Sequence, residues 1–306
     1  MDIINFAMKF RFVRAYIVNT YVTNVEKNNP SGSILQKLGN TPFINRYIEN
    51  VRKKGFDKWC LLEHDIKMYV DPTDPHLLAM IEGKDPEQKV KEIFHENICP
   101  GDVVIDVGAN IGDYTLLACK KVGTSGKVLS FEPLSETILT LERNLQLNQI
   151  TNCVYFQKAI GEKLCLANLY KNNLSGMMGH LDSSLNGKDL IKRDEIEVLT
   201  IDDVLTSEQI DTVNMIKIDV EGFEYEVILG CLQSFKENKI KKIMCEVHHS
   251  YLESKGKSEE LIFDFLREYN FTITPIYRDL EVVKEWYCEN CHKMLTSDRV
   301  HILATL

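Results

Sequence analysis

The sequence lacks any apolar run long enough to cross a membrane. Hydrophobic residues make up 44% of its 306 positions, but no stretch reaches the roughly 18 uninterrupted apolar residues of a spanning helix. An excess of basic residues is also missing, because 36 Lys and Arg face 45 Asp and Glu, for a formal net charge of −9. Phosphate contacts need a basic face, so we expect no nucleic-acid partner.

A signal for export is missing as well. Lys9, Arg11 and Arg14 interrupt the apolar N-terminal segment, and no small-residue cleavage site follows it, which argues against a signal peptide. The nine cysteines, an odd number, lie mostly in apolar runs. This placement is typical of free cysteines that act as small buried hydrophobic residues in a reducing compartment. It is not typical of the disulfide framework of a secreted protein. These absences predict a cytoplasmic protein.

The apolar N-terminal segment allows two interpretations. A basic amphipathic helix can lie on a membrane surface. Such a helix more often packs its apolar side on its own domain or on a second subunit. We favour packing, and a homo-oligomer stays open.

A second cysteine pair is missing near the C-terminus. Cys288 and Cys291, followed by His292, form a single C-x-x-C-H string. Structural zinc needs four ligands, and haem attachment to this string would need an exported chain. We therefore interpret residues 278–298 as a loop with two free thiols, which could border a functional site.

Strands and helices alternate regularly after residue 100. The pattern predicts strands at 102–108, 127–133, 153–161, 213–220, 240–248, 271–277 and 300–306, and helices at 86–98, 115–122, 135–149, 225–235 and 258–269. This alternation is typical of a parallel sheet with helices on both faces. The last two strands are joined without a long helix, which makes one strand antiparallel. The expected fold class is α/β, with a Rossmann-like, mixed, mostly parallel seven-stranded sheet.

The sequence pattern divides the chain into two regions. Residues 1–84 are expected to form a mainly helical N-terminal extension with a short hairpin at 60–71. Residues 85–306 are expected to form the main α/β domain. Residues 162–200 are irregular and polar, with strand-like pieces, and could form an insertion over the functional site.

The turn after the first strand of the main domain carries the candidate cofactor loop. Gly108 and Gly112 let the backbone turn tightly, but their G-x-x-x-G spacing differs from the G-x-G-x-x-G of dinucleotide-binding folds. Asp106, just before the loop, would repel a pyrophosphate and would suit the cationic amino and sulfonium groups of S-adenosylmethionine. Glu132, at the end of the next strand, can accept hydrogen bonds from both ribose hydroxyls of an adenosine.

Four segments extend this interpretation to a family. PGDVVIDVGANIGDYTLLA, VLSFEP, KAIGE and MIKIDVEGFEYEVILG closely resemble the FkbM family of S-adenosylmethionine-dependent methyltransferases, over roughly residues 86–250. The resemblance implies a Rossmann-like methyltransferase fold, S-adenosylmethionine as cofactor, and often O-methylation of a hydroxyl on a small molecule or glycan. The cofactor site that it implies comprises Asp106, Gly108, Ala109, Asn110, Gly112, Glu132, Pro133, Lys158 and Ala159.

Candidate catalytic residues follow the fourth and fifth strands of the main domain. Asp219 and Glu221 come at the end of the strand that contains Lys217. His248 shares a face of the next strand with Glu246. Methyl transfer to a hydroxyl requires alignment of the acceptor and removal of its proton. Asp219, Glu221 or His248 could take that proton, since neutral imidazole is available near pH 7.

Other roles for these residues stay open. Lys217 is a ready partner for a structural ion pair with a carboxylate. Asp219, Glu246 and His248 could alternatively hold a divalent metal, although we favour a site without a metal. A catalytically silent protein that binds S-adenosylmethionine and an NAD-dependent oxidoreductase are the alternative functions, the second disfavoured by the loop spacing.

Overall fold

The computed structural model describes residues 59–61, 65–69, 85, 87–172, 179–180, 190–276 and 299–306. The predicted N-terminal helices and the loop with Cys288 and Cys291 lie outside these residues. The described chain falls into two compact units that part between Gln88 and Lys89. None of its described helices is both long and apolar enough to cross a membrane.

Strands and helices are numbered in chain order. The strands are β1 (Trp59–Leu61), β2 (Lys67–Tyr69), β3 (Val103–Val107), β4 (Lys127–Phe131), β5 (Cys153–Phe156), β6 (Ala159–Ile160), β7 (Cys165–Asn172), β8 (Gly179–His180), β9 (Leu190–Leu199), β10 (Met215–Ile218), β11 (Lys242–His248), β12 (Thr272–Ile276) and β13 (Arg299–Thr305). The helices are α1 (Gln88–Glu96), α2 (Asp113–Val122), α3 (Ser135–Leu147), α4 (Ile201–Ser207), α5 (Glu224–Leu229), α6 (Leu232–Lys236), α7 (His249–Ser254) and α8 (Glu259–Glu268). In the N-terminal unit, β1 pairs antiparallel with β2.

Seven strands form one sheet in the order β12-β13-β11-β10-β3-β4-β5. The neighbours from β11 to β5 pair in parallel. β13 runs antiparallel to both β11 and β12. The predicted fold, a mixed and mostly parallel Rossmann-like sheet, is confirmed.

The strand order reverses at β3. The chain moves from β3 through β4 to β5, and later returns to β10 on the other side of β3 before it continues to β11. Because parallel crossovers are right-handed, the two directions place their helices on opposite faces of the sheet. Ligands bind in such sheets at the carboxyl ends of the strands beside the reversal. Here these are the ends of β3, β4 and β10.

Apolar strands place this sheet at the centre of its unit. Every residue of β10 is buried, as are all but the first residues of β3 and β4, which is typical of parallel strands covered on both faces. Ile105, Ile216 and Leu266 of α8 belong to one core cluster. This core fixes β3 beside β10, with Asp106 paired in register with Lys217.

The segment 153–161 differs from the single strand that the sequence predicts. Its first part, β5, pairs with β4 in the main sheet, whereas β6 pairs with β9. Residues 162–200, predicted to be irregular, contain β7 and β9, which pair antiparallel. They belong to a second sheet in the order β6-β9-β7-β8. A strand pattern does not specify the pairing partner, so the sequence does not reveal this sheet.

The predicted helix at 225–235 is also divided, into α5 and α6. Between them, an added Cβ on Gly230 would lie 2.2 Å from the carbonyl oxygen of Gly161, so the two backbones touch.

The sequence interpretation missed α4 and α7. The sequence does carry a signal for α4, the T-x-x-D spacing of Thr200 and Asp203, and in the structure Thr200 Oγ1 accepts a hydrogen bond from the backbone N–H of Asp203.

Candidate active site

The loop between β3 and α2 needs glycine at two positions. Gly108 and Gly112 have φ angles of 79° and 98°, in the left-handed region. An added Cβ on Gly108 would lie 1.8 Å from the carbonyl oxygen of Asp219, and one on Gly112 would lie 2.3 Å from Cδ1 of Leu141. The loop therefore packs against the end of β10 and against α3 more closely than a side chain permits.

Glu132, directly after β4, holds this loop in place. Its Oε2 accepts a hydrogen bond from the backbone N–H of Asn110 at 3.0 Å, and its Oε1 accepts one from that of Leu134 at 2.9 Å. Burial raises the pKa of the carboxyl to about 7, although both hydrogen bonds oppose the shift. The carboxylate can still accept ribose hydroxyls, because each oxygen has a second lone pair.

Asp106 lies beneath the loop, completely buried. Its Oδ2 accepts a hydrogen bond from Thr115 Oγ1 at 2.6 Å, and its Oδ1 lies 3.6 Å from Nζ of Lys217. Burial raises the pKa of this carboxyl, and Lys217 opposes that shift. The carboxylate thus has protein partners, and its contact with a cofactor amino group stays a prediction.

The remaining predicted cofactor residues lie in different surroundings. Pro133 is half-buried and directly precedes the buried Leu134. Nζ of Lys158 pairs with the carboxylate of Glu197 on β9. Ala159 is buried with Leu134 in a small core cluster of the second sheet. Contacts of Pro133, Lys158 and Ala159 with a cofactor stay predictions.

Asn110 gives the loop a feature that fits a nucleoside cofactor. Its Oδ1 is buried and has no hydrogen-bond partner within the described part of the chain, so a donor on a ligand would satisfy it. Its φ of 50° is uncommon for a residue with a side chain and is frequent at functional sites. With Ala109 beside it and Glu132 as an acceptor, the loop fits S-adenosylmethionine, which presents hydroxyl and amino donors.

Charged side chains gather at the end of β10. Nζ of Lys217 lies 3.3 Å from Asp219 Oδ2 and 3.3 Å from the carbonyl oxygen of Gly108. It also lies 4.7 Å from the ring centroid of Tyr114. Lys217 and Asp219 therefore form the ion pair that the sequence allows. The Asp219 side chain keeps 25% exposure, so it can still face a substrate.

His248, at the end of β11, lies in a buried acidic cluster. Its Nδ1 lies 2.7 Å from Oε1 of Glu224, an oxygen that also accepts a hydrogen bond from the backbone N–H of Gly222. A carboxylate can only accept, so this pairing favours the form of the ring with a hydrogen on Nδ1. Its Nε2 lies 3.3 Å from Oε2 of Glu221 and 3.8 Å from Oε2 of Glu246.

The three residues predicted to be catalytic meet at this edge of the sheet. Each of the three residues, Asp219, Glu221 and His248, offers one polar atom, and these three atoms lie within 4.8 Å of one another. Burial would lower the pKa of His248, but the carboxylates of Glu221, Glu224 and Glu246 raise it to about 10. This arrangement favours a protonated imidazole at pH 7, which works against the predicted neutral base.

The turn from β10 to α5 has a strained backbone. Glu221 has a φ of 51° and Gly222 a φ of 100°, and an added Cβ on Gly222 would lie 2.5 Å from Cβ of Tyr251. A left-handed residue with a side chain costs roughly 1–2 kcal/mol, and such residues concentrate at functional sites. The strained turn brings Glu221 to His248.

A small pocket, with room for about one water molecule, lies beside the same edge. Its wall contains Tyr114, Lys217, Ile218, Asp219, Met244, Glu246 and His301. The sequence does not indicate His301, because one histidine in an apolar strand carries no signal of its own. The sequence does place Glu224 in an acidic run. Its hydrogen-bond partner His248 is 24 residues away along the chain, so only the fold brings the two side chains together.

Comparison with known protein families bears directly on this site. The family model described as Methyltransferase FkbM domain matches residues 106–273, which is more than half of the chain. The matched range begins at Asp106 and includes the glycine loop, Glu132 and the cluster around His248.

Three curated relatives are similar over part of the chain. AMB antimetabolite synthetase AmbE of Pseudomonas aeruginosa is 22% identical over 245 residues, which cover 67% of this chain and 11% of that protein. The 31-O-demethyl-FK506 methyltransferase FkbM of Streptomyces tacrolimicus is 26% identical, with 60% of this chain and 79% of the relative covered. Hexuronic acid methyltransferase AglP of Haloferax volcanii is 25% identical, with 53% and 62% covered. This chain therefore spans about a tenth of AmbE and less than two thirds of AglP. On the strength of the family match, the chain belongs to the FkbM family of methyltransferases.

Proposed function

We propose that this protein transfers the methyl group of S-adenosylmethionine to a hydroxyl on a small molecule or a glycan. One observation carries the proposal: the cofactor loop touches the acidic edge, because an added Cβ on Gly108 would collide with the carbonyl of Asp219. A ligand on the loop then lies next to carboxylates that can hold a second substrate. The names of two relatives, a 31-O-demethyl-FK506 methyltransferase and a hexuronic acid methyltransferase, favour such an acceptor.

The residues of the edge supply alignment and proton transfer. Bound S-adenosylmethionine supplies a methyl group on a sulfonium, whose C–S bond breaks to leave neutral S-adenosylhomocysteine. The acceptor O–H bond breaks as its proton passes to a carboxylate oxygen of Asp219 or Glu221, and a new O–CH₃ bond forms in line. Lys217 positions Asp219, and His248 positions Glu221.

The two alternative functions make different demands on the loop. A nicotinamide cofactor would place a pyrophosphate at the start of α2, where the buried Asp106 carboxylate disfavours it. Membership of a methyltransferase family also argues against an oxidoreductase. A silent binder would keep the loop and bind S-adenosylmethionine, so only turnover separates it from an enzyme.

The proposal extends to the whole chain. We propose a cytoplasmic location and no nucleic-acid partner. We also propose that the main domain begins near residue 85.

Asp219→Asn and Glu221→Gln test the proposed chemistry. Each change removes a proton acceptor and keeps the size of the side chain. Transfer of labelled methyl to a panel of hydroxyl-bearing sugars and natural products should therefore fall by about 100-fold or more. Affinity for S-adenosylhomocysteine, measured by calorimetry, should change little.

Glu253→Gln provides a matched control for these variants. Its carboxylate lies on α7 with 75% exposure, outside the edge, so methyl transfer should proceed at the wild-type rate. Full turnover in both Asp219→Asn and Glu221→Gln would remove these carboxylates from the mechanism. Cofactor binding without methylation of any acceptor would favour the silent binder.

A further inference from the structure

We infer that Asp219, Glu221 and His248 form a binding site for one divalent cation. The inference rests on the proposed function and specifies how the acceptor hydroxyl is held. The proposed ligand set contains Glu221, whereas the set that the sequence allows contains Glu246 in its place. The turn places Glu221 at 3.3 Å from Nε2 of His248, closer than Glu246 at 3.8 Å.

The spacing of the polar atoms suits a single ion. One atom from each of the three residues lies within 4.8 Å of the other two. Two ligands bonded to one ion at roughly 2.0–2.6 Å can be at most about 5 Å apart. The three side chains can therefore bind one ion with only small adjustments.

The histidine is oriented as a metal ligand would be. Its Nδ1 is held at 2.7 Å by Glu224, and a carboxylate in that position fixes the ring and directs the other nitrogen to a metal. Its Nε2 is buried, and although Oε2 of Glu221 lies 3.3 Å away, no partner among the described residues meets hydrogen-bond geometry with it. Buried polar atoms rarely stay unsatisfied, and a cation would satisfy this one.

The charge of the cluster favours a cation independently of these distances. Excess negative charge raises the pKa of a nearby hydroxyl and so opposes loss of its proton. A divalent cation reverses this effect, because it stabilises the negative oxygen that forms. Among the described residues, the cluster contains five carboxylates, those of Asp106, Asp219, Glu221, Glu224 and Glu246. Beside them lie one lysine and two histidines: Lys217, His248, and His301, whose Nε2 lies 3.8 Å from Oε1 of Glu246.

The donor set indicates the class of ion. One imidazole nitrogen and two carboxylate oxygens suit Mn²⁺, Fe²⁺ or Zn²⁺ better than Ca²⁺, which prefers oxygen ligands alone. In this position the cation holds the acceptor oxygen and lowers its pKa. An uncoordinated oxygen of Asp219 or Glu221 still takes the proton, so the proposed transfer step is unchanged.

Titration of the chelator-treated full chain with Mn²⁺ tests the site. Calorimetry, checked by the paramagnetic resonance signal of free Mn²⁺, should show one site per chain. His248→Gln and Glu221→Gln each remove a ligand and should weaken binding by about tenfold or more. Glu224→Gln replaces the carboxylate partner of Nδ1 by a neutral amide and should also weaken binding by about tenfold.

His249→Gln is the matched control. His249 is adjacent in sequence, and its Nδ1 also lies 2.8 Å from a carboxylate, that of Glu259, but it lies outside the cluster. This variant should bind Mn²⁺ as the wild type does. Circular dichroism melts would identify a variant that does not fold, and Glu221→Gln, in a partly exposed turn, keeps the test available if His248→Gln fails.

The outcomes separate the cation site from the proposed function. Absence of stoichiometric Mn²⁺ binding, or equal binding by the wild type and Glu221→Gln, would overturn the site. Methyl transfer at full rate in excess chelator would also overturn it, while the proposed function would stand. Stoichiometric Mn²⁺ binding without methylation of any hydroxyl acceptor would count against the proposed function and support the site.

Discussion

Glu132 joins the two halves of the proposed cofactor site. It follows β4, yet its carboxylate holds the backbone of Asn110 in the loop after β3 and that of Leu134 before α3. Burial raises its pKa to about 7, so its charge changes near neutral pH. Only the ionised form can accept a hydrogen bond from each of two ribose hydroxyls without giving up these contacts.

The affinity for S-adenosylhomocysteine should therefore depend on the charge of Glu132. Hydroxyl donors favour the carboxylate, so affinity should rise with pH and level off above about 8. A group with a pKa of 7 is about one tenth ionised at pH 6, so binding there should be about tenfold weaker. Calorimetry at several pH values measures this, and Glu132→Gln should bind weakly at every pH. A flat wild-type profile would contradict the role of Glu132.

His248 shows where inference from the sequence stops at the residue scale. Its place at a strand end predicts membership of the site, and the structure places it beside Asp219 and Glu221. Its chemistry depends on contacts that the sequence does not display. Glu224 holds its Nδ1, and neighbouring carboxylates raise its pKa. The sequence predicts a neutral base, whereas these contacts fit a charged or metal-bound ring.

At the scale of elements, the contact between the glycine loop and the end of β10 joins the proposed cofactor site to the proposed acceptor site. Gly108→Ala should disrupt it, because the new Cβ would lie 1.8 Å from the carbonyl oxygen of Asp219. We expect a loss in the free energy of unfolding that exceeds the backbone strain alone by about 1–3 kcal/mol. Binding of S-adenosylhomocysteine should weaken as well.

Gly123→Ala is the control for that change. Gly123 has a φ of 66°, and nothing lies within 4 Å of an added Cβ. Its ψ of −170° places it in a backbone region that is essentially confined to glycine, so only the backbone strain, roughly 1–3 kcal/mol, should appear there. Urea unfolding measures both variants, and equal losses would mean that the loop does not pack on β10 as described.

Periodicity predicts the main sheet well because buried parallel strands are continuous apolar runs. The expected strands at 213–220 and 240–248 both contain strands of the sheet, β10 and β11. Prediction fails where long-range partners decide the structure. β6 leaves the main sheet to pair with β9, and the helix after β10 breaks at Gly230, where the backbone meets Gly161.

At the scale of the whole molecule, the strand order turns scattered motifs into one site. The reversal at β3 places the ends of β4 and β10 on either side of it, so Glu132 and Asp219 flank the same loop. The motifs were sufficient to predict the family and its cofactor. The motifs do not indicate the acceptor, and the pocket beside the acidic edge combines distant elements, such as Tyr114 of α2 and His301 of β13.

Binding of S-adenosylhomocysteine to the full chain tests the central claim, that the loop between β3 and α2 holds S-adenosylmethionine. Calorimetry and thermal unfolding, with NADH as the comparison ligand, are the measurements. We expect one site per chain and, at a free ligand concentration of about 100 times Kd, a gain of about 2.7 kcal/mol in stability, with no effect of NADH. Stabilisation by NADH and none by S-adenosylhomocysteine would contradict the claim.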